Sequence, residues 1–321
     1  MSSNSKAIFC KVAFVGAGYM ATEHIKAFRD ISGVELCGIY SRTKSRADIL
    51  AKEFGIPKVV DSVASLYKET NADIVVVSVP ELSAKSVILE CFQFPWLSLI
   101  EKPVGYNYGE ANAIVKVAHE LKREAYVALN RRHYSSTYNT LQELNRIDEP
   151  RFIHVQDQED LIAAKNFGQP DLVLENWMYA NSIHLIDYFS IFGRGRIIQI
   201  DPLFHWDKDN PTFVAAKILF DSGDLGIYQA VWNAPGPWAV SVTTHSKRFE
   251  LRPLEQASIQ LNGQRTLESI PIHEWDVQFK PGLRRQAEMV VKAFKNQEHS
   301  LPSLVDALES MRVVHEIYGV E

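Results

Sequence analysis

The sequence predicts an α/β domain built on a doubly wound parallel sheet, followed by an α+β domain with a mostly antiparallel open sheet. Three observations carry this. Up to about residue 130, short β-branched runs alternate with segments of helical period, and the runs are apolar throughout, as strands covered on both faces are. Beyond residue 130 the strand-like stretches lengthen and helices become few. No repeat, low-complexity tract or disordered linker separates the halves, so a tight boundary is expected, with domains at 1–130 and 131–321.

The expected strands of the first half are Lys11–Gly16, Val34–Tyr40, Lys58–Val60, Asp73–Val79, Leu97–Lys102 and Ala125–Asn130. Between them lie segments such as YMATEHIKAFRD and YGEANAIVKVAHELK, with apolar residues three and four apart. In the second half, the Ser-Gly-Asp turn of FDSGDLGIYQ predicts a hairpin. LENWMYANSIHLIDYFSIFG reads as one helix with Gly193 as its C-cap, and two more helices are expected at 283–295 and 303–318.

Composition excludes several function classes. A net charge of −5 offers no general attraction to nucleic acid or anionic membranes, and neither partner is expected. No run approaches the ~20 apolar residues of a membrane span. The opening MSSNSKAIFCKVAFVGAG runs straight into a glycine turn and shows no cleavage site. Cys10, Cys37 and Cys91 each lie in or beside an apolar segment without metal-ligand spacing, which points to buried thiols and a cytoplasmic location. His24 and the acids Asp157, Glu159 and Asp160 also lack metal-ligand geometry, and no metal is expected.

The chemistry begins at the end of the first strand, where Gly16, Gly18 and Ala21 form a GxGxxA turn that opens a helix. Gly16 permits the tight turn, and Gly18 lets backbone approach a pyrophosphate at the helix N-terminus beside Tyr19 and Met20. With a strand before and a helix after, this is a Rossmann dinucleotide site. An NAD-binding chain usually places an acid at the end of the second strand; here stand Ser41, Arg42, Thr43, Lys44 and Arg46. A hydroxyl and guanidinium groups suit a ribose 2′-phosphate, so NADP(H) is expected over NAD(H). The plainer alternative is a solvated first helical turn. At the carboxyl ends of the later strands, Pro80, Glu101 and Lys102 would line the same cleft, with Lys102 able to hold a substrate oxygen and relay its proton. Pro103 directs the chain onward.

The GxGxxA opening, EKP at 101–103, NRRH at 130–133 and a β-rich second half together resemble the glucose-fructose oxidoreductase / inositol dehydrogenase (Gfo/Idh/MocA) family over nearly the whole chain. The resemblance implies an NAD(P)-dependent oxidoreductase acting on sugars, cyclitols or nucleotide-linked sugars, with Lys102 as the catalytic lysine. It places Asn130, Arg131 and Arg132 near the substrate, and it implies a homodimer or homotetramer formed through the C-terminal sheet. It also implies an aspartate and a histidine four residues apart on a helix. His184 keeps the histidine place, but Ala180 stands where the aspartate would be. Asn181 and Asp187 adjoin His184 at three-residue steps, and Trp177 lies on its face by period. Pro80-Glu81-Leu82-Ser83-Ala84 departs from the family pattern too, lacking a histidine.

The expected function is hydride transfer between NADP(H) and a secondary alcohol or ketone of a nucleotide-linked or otherwise activated sugar. Lys102 and His184 would be catalytic, and Asn130, Arg131, Arg132, Trp177 and Asn181 would bind substrate. Two alternatives stand beside it: reduction of a non-sugar carbonyl or imine, and a cofactor-binding sensor that has lost catalysis, which Ala180 motivates.

Overall fold

The computed structural model describes residues 10–320, and the first nine residues of the N-terminal stretch discussed above lie outside them. The chain forms two compact units. One holds the described residues up to Gly105, Glu110–Asn130 and Val277–Ala307; the other holds Tyr106–Gly109, Arg131–Asp276 and the chain from Leu308 onward. The helix expected at 283–295 thus groups with the first unit rather than with its sequence neighbours in the second half.

In the first unit, six strands, β1 (Cys10–Val15), β2 (Val34–Tyr40), β3 (Val59–Val60), β4 (Ile74–Val77), β5 (Leu97–Ile100) and β6 (Ala125–Val127), make a parallel sheet in the order β3-β2-β1-β4-β5-β6. The order reverses between β1 and β4, and a crevice opens at such a switch point, outside the strand carboxyl ends. Every residue of β4 and β5 is buried, which accounts for their apolar sequence, interrupted only by Ser98 in β5. The connecting helices are α1 (Tyr19–Arg29), α2 (Lys44–Phe54), α3 (Val63–Thr70), α4 (Glu81–Cys91) and α5 (Tyr108–Glu120). Gly55, at φ +72°, closes α2, and the Ser62 hydroxyl caps α3 by accepting from the Ser65 amide at 3.0 Å.

The second unit begins with a 3₁₀ turn within Asn130–His133 and α6 (Ser135–Leu144). After β7 (Phe152–Glu159) come four short helices, α7 (Leu161–Asn166), α8 (Asp171–Glu175), α9 (Ile183–Ile186) and α10 (Tyr188–Phe192), with a π-helical turn at Met178–Ser182 ahead of α9. The single helix expected over 174–193 is therefore interrupted, and Gly193 ends α10 in an extended conformation, not a left-handed one. Seven strands follow: β8 (Ile197–Phe204), β9 (Phe213–Phe220), β10 (Leu225–Trp232), β11 (Ala239–Thr243), β12 (Lys247–Leu251), β13 (Ala257–Leu261) and β14 (Glu268–Ile270). Their sheet, in the order β14-β13-β12-β11-β7-β10-β9-β8, is antiparallel except where β7 lies parallel to β10. The expected hairpin is β9–β10, turning at Gly223 with φ +85°.

Helices α11 (Trp275–Gln278), α12 (Leu283–Phe294) and α13 (Leu304–Tyr318) complete the chain. Within the first unit, α12 buries Leu283, Ala287 and Val290 in the cluster that holds Phe14, Ile25 and Phe28 of the sheet and α1. Among the described residues, no helix is long and apolar enough to cross a membrane.

Candidate active site

The switch-point crevice of the first unit is a cavity of about 370 Å³. Its walls include Gly16, Gly18, Tyr19 and Met20 from the first turn, and Ser41, Arg42, Thr43 and Arg46 after β2. Ser78 and Pro80 after β4, and Glu101 and Lys102 after β5, complete the set. The structure thus gathers in one place every residue to which the sequence assigned cofactor contact.

The two glycines do different things. Gly16 has φ +113°, and a Cβ there would stand 2.0 Å from the Ser78 carbonyl oxygen, so the backbone itself requires glycine. At Gly18, which is extended and begins α1, an added Cβ would meet no protein atom within 4 Å. Only a ligand against the backbone would penalise a side chain at that position. The first turn of α1 has no acidic residue and no side-chain cap, which leaves its N–H groups and the positive end of the helix dipole for an anion. The buried Ser78 hydroxyl, also on the cavity wall, has no hydrogen-bond partner among the described residues. Uncapped amides, a glycine cradle and an orphaned hydroxyl fit a dinucleotide pyrophosphate.

After β2 no carboxylate meets the cavity. The Ser41 hydroxyl accepts from the Thr43 amide at 3.2 Å, and α2 starts without an acid in its first turn. Lys44 is 3.2 Å from the exposed Asp61. Arg42 and Arg46 are exposed and have no ion-pair partner among the described residues.

Glu101 is fixed from two sides. Its Oε1 lies 2.6 Å from Nε2 of His24, a fully buried side chain of α1, and its Oε2 accepts the Lys102 amide at 3.2 Å. The Lys102–Pro103 peptide is cis. Sequence reading set His24 aside, although its place beside Ala21, Ile25 and Phe28 on the buried stripe of α1 was the available signal that a polar partner awaited it. Asn130, expected to face substrate, donates its amide to the Pro281 carbonyl at 3.0 Å.

In the second unit a smaller cavity, about 290 Å³, is lined by Glu159, Trp177, Asn181 and Trp238 among others. Trp177 and Asn181 both donate to Glu159 Oε2, at 2.7 and 2.8 Å, and Ser182 donates to Oε1 at 3.0 Å. Glu159 is the residue missed here. The alternation of RFIHVQDQE puts it on the face of Ile153 and Val155, which is legible in the sequence once the strand is accepted. Burial and the neighbouring Asp157 push its carboxyl well above the usual range.

His184 is buried, its Nδ1 has no partner among the described residues, and it is not among the residues that line this cavity. The π-turn just before it breaks the four-residue step that would put 177, 180 and 184 on one stripe. Arg131 stacks over Trp238 with 4.6 Å from its guanidinium carbon to the ring centre, and its buried Nε and Nη1 lack partners. Arg132 instead makes a two-pronged ion pair with Asp187, at 2.8 and 2.6 Å, and Asp187 also accepts from Ser310. That guanidinium is tied to Asp187 within the second unit.

Residues 10–129 match the family described as the oxidoreductase family with an NAD-binding Rossmann fold. The chain carries that match from β1 to just past β6. Among relatives, it is 21% identical to a 4-carboxy-2-hydroxymuconate-6-semialdehyde dehydrogenase from Sphingobium sp. over 233 residues, 71% of this chain and 73% of that one. Two solved structures share the fold of this chain. A UDP-N-acetylglucosamine 3-dehydrogenase from Acidithiobacillus ferrooxidans has a TM-score of 0.77 at 16% identity over 97% of each chain. A 3-ketoreductase from Actinomadura kijaniata, solved with TDP-benzene and NADP, has a TM-score of 0.73 at 14% identity over 96% of each.

Proposed function

We propose that this chain uses NADP(H) to interconvert a secondary alcohol and a ketone on an activated sugar. The observation that supports the cofactor choice is the rim after β2, which carries no carboxylate, two arginines without an ion-pair partner among the described residues, and a hydroxyl. When bound, the nicotinamide supplies or accepts the hydride. Gly16, Gly18 and the start of α1 would hold the pyrophosphate, with Ser78 and Pro80 beside the bound chain. Lys102 would hold the substrate oxygen and give or take its proton, and the His24–Glu101 pair keeps the Lys102 backbone in place. His184 would assist as acid or base. Arg131, with unpartnered nitrogens, suits an anionic group on the substrate, such as the diphosphate of a nucleotide sugar. Solved relatives that act on UDP-N-acetylglucosamine or bind TDP-benzene with NADP agree with this substrate class.

The test is a panel of UDP- and TDP-linked keto sugars, free sugars and simple ketones, followed by NADPH consumption. Turnover confined to nucleotide sugars is expected, and Lys102→Met should lower it by ~10²–10⁴-fold while NADPH still binds. Preference for uncharged free sugars would overturn the substrate class. Ala180 and the unpartnered Nδ1 of His184 favour one other reading, a cofactor-binding sensor. Gain of turnover in Ala180→Asp argues for the enzyme, and no turnover in either protein argues for the sensor.

A second copy of the chain is the partner this reading adds. Phe152 and its register neighbour Leu225, with Ile198, Leu203 and Phe204 on β8, are large exposed apolar side chains of the C-terminal sheet. A dimer or tetramer in sedimentation that Phe152→Asp converts to monomer is expected; a monomeric wild type would contradict it.

A further inference from the structure

The buried face of β7 ends in two acids, Asp157 and Glu159, 2% and 1% exposed. Among the described residues neither has a lysine, arginine or histidine at ion-pair distance; the cation whose charge acts on Asp157 is Arg131, which is stacked on Trp238. Two neighbouring carboxylates buried without a paired cation are costly to ionise together, so one of the two protons is retained. Burial pushes Asp157 up to about 6 and Glu159 well above the ordinary range, in keeping with that count.

What connects the acids is a run of hydroxyls from three other elements. Tyr228 of β10 lies 2.7 Å from Asp157 Oδ2, Tyr318 of α13 lies 2.8 Å from Tyr228, and Ser182 of the π-turn lies 3.3 Å from Tyr318 and 3.0 Å from Glu159 Oε1. Burial raises both phenols well above their ordinary range, so they remain protonated. Each hydroxyl can give one hydrogen bond and accept another. Two arrangements therefore satisfy the whole run. In one, protonated Glu159 donates to Ser182, Ser182 to Tyr318, Tyr318 to Tyr228, and Tyr228 to ionised Asp157. In the other, protonated Asp157 donates to Tyr228 and every bond reverses, ending with Ser182 donating to ionised Glu159. Both contain the same atoms, the same charge and the same four bonds; passage between them moves one proton's worth of charge from one acid to the other.

The Glu159 end lines a cavity, where Trp177 and Trp238 form walls and the Asn181 amide adjoins the carboxyl. We propose that Asp157 and Glu159 hold one proton between them, pass it along the Tyr228, Tyr318 and Ser182 hydroxyls, and exchange it through Glu159 with a hydroxyl or amino group of a ligand in this cavity. Glu159 would be the ligand-facing member, and Asp157 with the three hydroxyls its proton reserve.

Infrared difference spectroscopy on the full chain, without cofactor, tests this. The pH 7 minus pH 10 spectrum of the wild type should show one protonated buried carboxyl; none, or two, overturns the shared proton, and this step needs no variant. The band should vanish in both Glu159→Gln and Asp157→Asn, because a lone acid among these donors ionises; its survival in both overturns the assignment to this pair. Tyr318→Phe keeps both acids and cuts the run. With D-glucosamine as the probe, the wild-type band should shift and the Tyr318→Phe band should not. A shift in both overturns the hydroxyl run, and a shift in neither overturns the ligand-facing role of Glu159. No step uses nicotinamide, so these outcomes are independent of the cofactor assignment.

Discussion

The cavity of the first unit is made of backbone amides, glycines and exposed cations, whereas that of the second is floored by a buried acid and walled by indoles. The first is suited to phosphates, which an open helix N-terminus and guanidinium groups hold without much burial. The second is suited to a group that trades protons, because burial is what brings a carboxyl toward neutral pH. The contrast teaches that what builds each site differs as well: local chain geometry makes the first site, and contacts across four elements make the second.

Substitutions can break each half of this comparison. The largest effect is expected from Asp187→Ala, which strands the Arg132 guanidinium in the frame of the second unit; the side chains of the pair are only 16% and 3% exposed. Loss of about 3–5 kcal/mol in urea unfolding is expected, and a loss below about 1 kcal/mol would mean that Arg132 is free to serve a ligand after all. Next comes Gly16→Ala, where the positive φ and the 2.0 Å approach to Ser78 predict about 3 kcal/mol of destabilisation. Gly18→Val sharpens the contrast within the same turn. Its stability should stay within about 1 kcal/mol of wild type, yet NADPH affinity should fall at least ~10-fold, since only a ligand crowds that position. Equal melting curves and equal NADPH binding would remove the pyrophosphate from Gly18.

The smallest effect belongs to pH. Asp157 is raised from 3.8 to about 6 in the folded chain, so between those values the folded state binds more protons than the unfolded one. Its contribution is fully present below about pH 4 and is lost as pH rises through 6, with a slope of about −1.4 kcal/mol per pH unit at most. Asp224, Asp201 and Asp221 are lowered by their arginine and lysine partners and slope the other way at lower pH. The check is therefore the difference between wild type and Asp157→Asn over pH 4 to 6, which should narrow steadily as pH rises; a flat difference would contradict the buried-acid floor.

The same contrast explains what could be read from the chain alone. The glycine turn, the basic run after β2 and the Glu101-Lys102 tip depend on strand ends and residue spacing, so a linear reading finds them and the sheet order brings them together. The His24–Glu101 pair spans 77 residues and the Arg132–Asp187 pair 55; the buried stripe of α1 signals that His24 needs a partner, but local pattern names the partner in neither pair. The hydroxyl run requires β7 to lie parallel to β10 and α13 to bring Tyr318 against both. The π-turn was illegible for another reason: an extra residue in one turn leaves the apolar pattern nearly unchanged while rotating everything after it.

On the proposed reading, the rim after β2 selects a 2′-phosphate. A paired fluorescence titration with NADPH and NADH, on wild type and Arg42→Ala, tests it most directly. NADPH should bind the wild type at least ~10-fold more tightly than NADH, and the substitution should bring NADPH down toward NADH with little change in the latter. NADH binding as tightly as NADPH in the wild type, or a preference untouched by Arg42→Ala, would contradict the account.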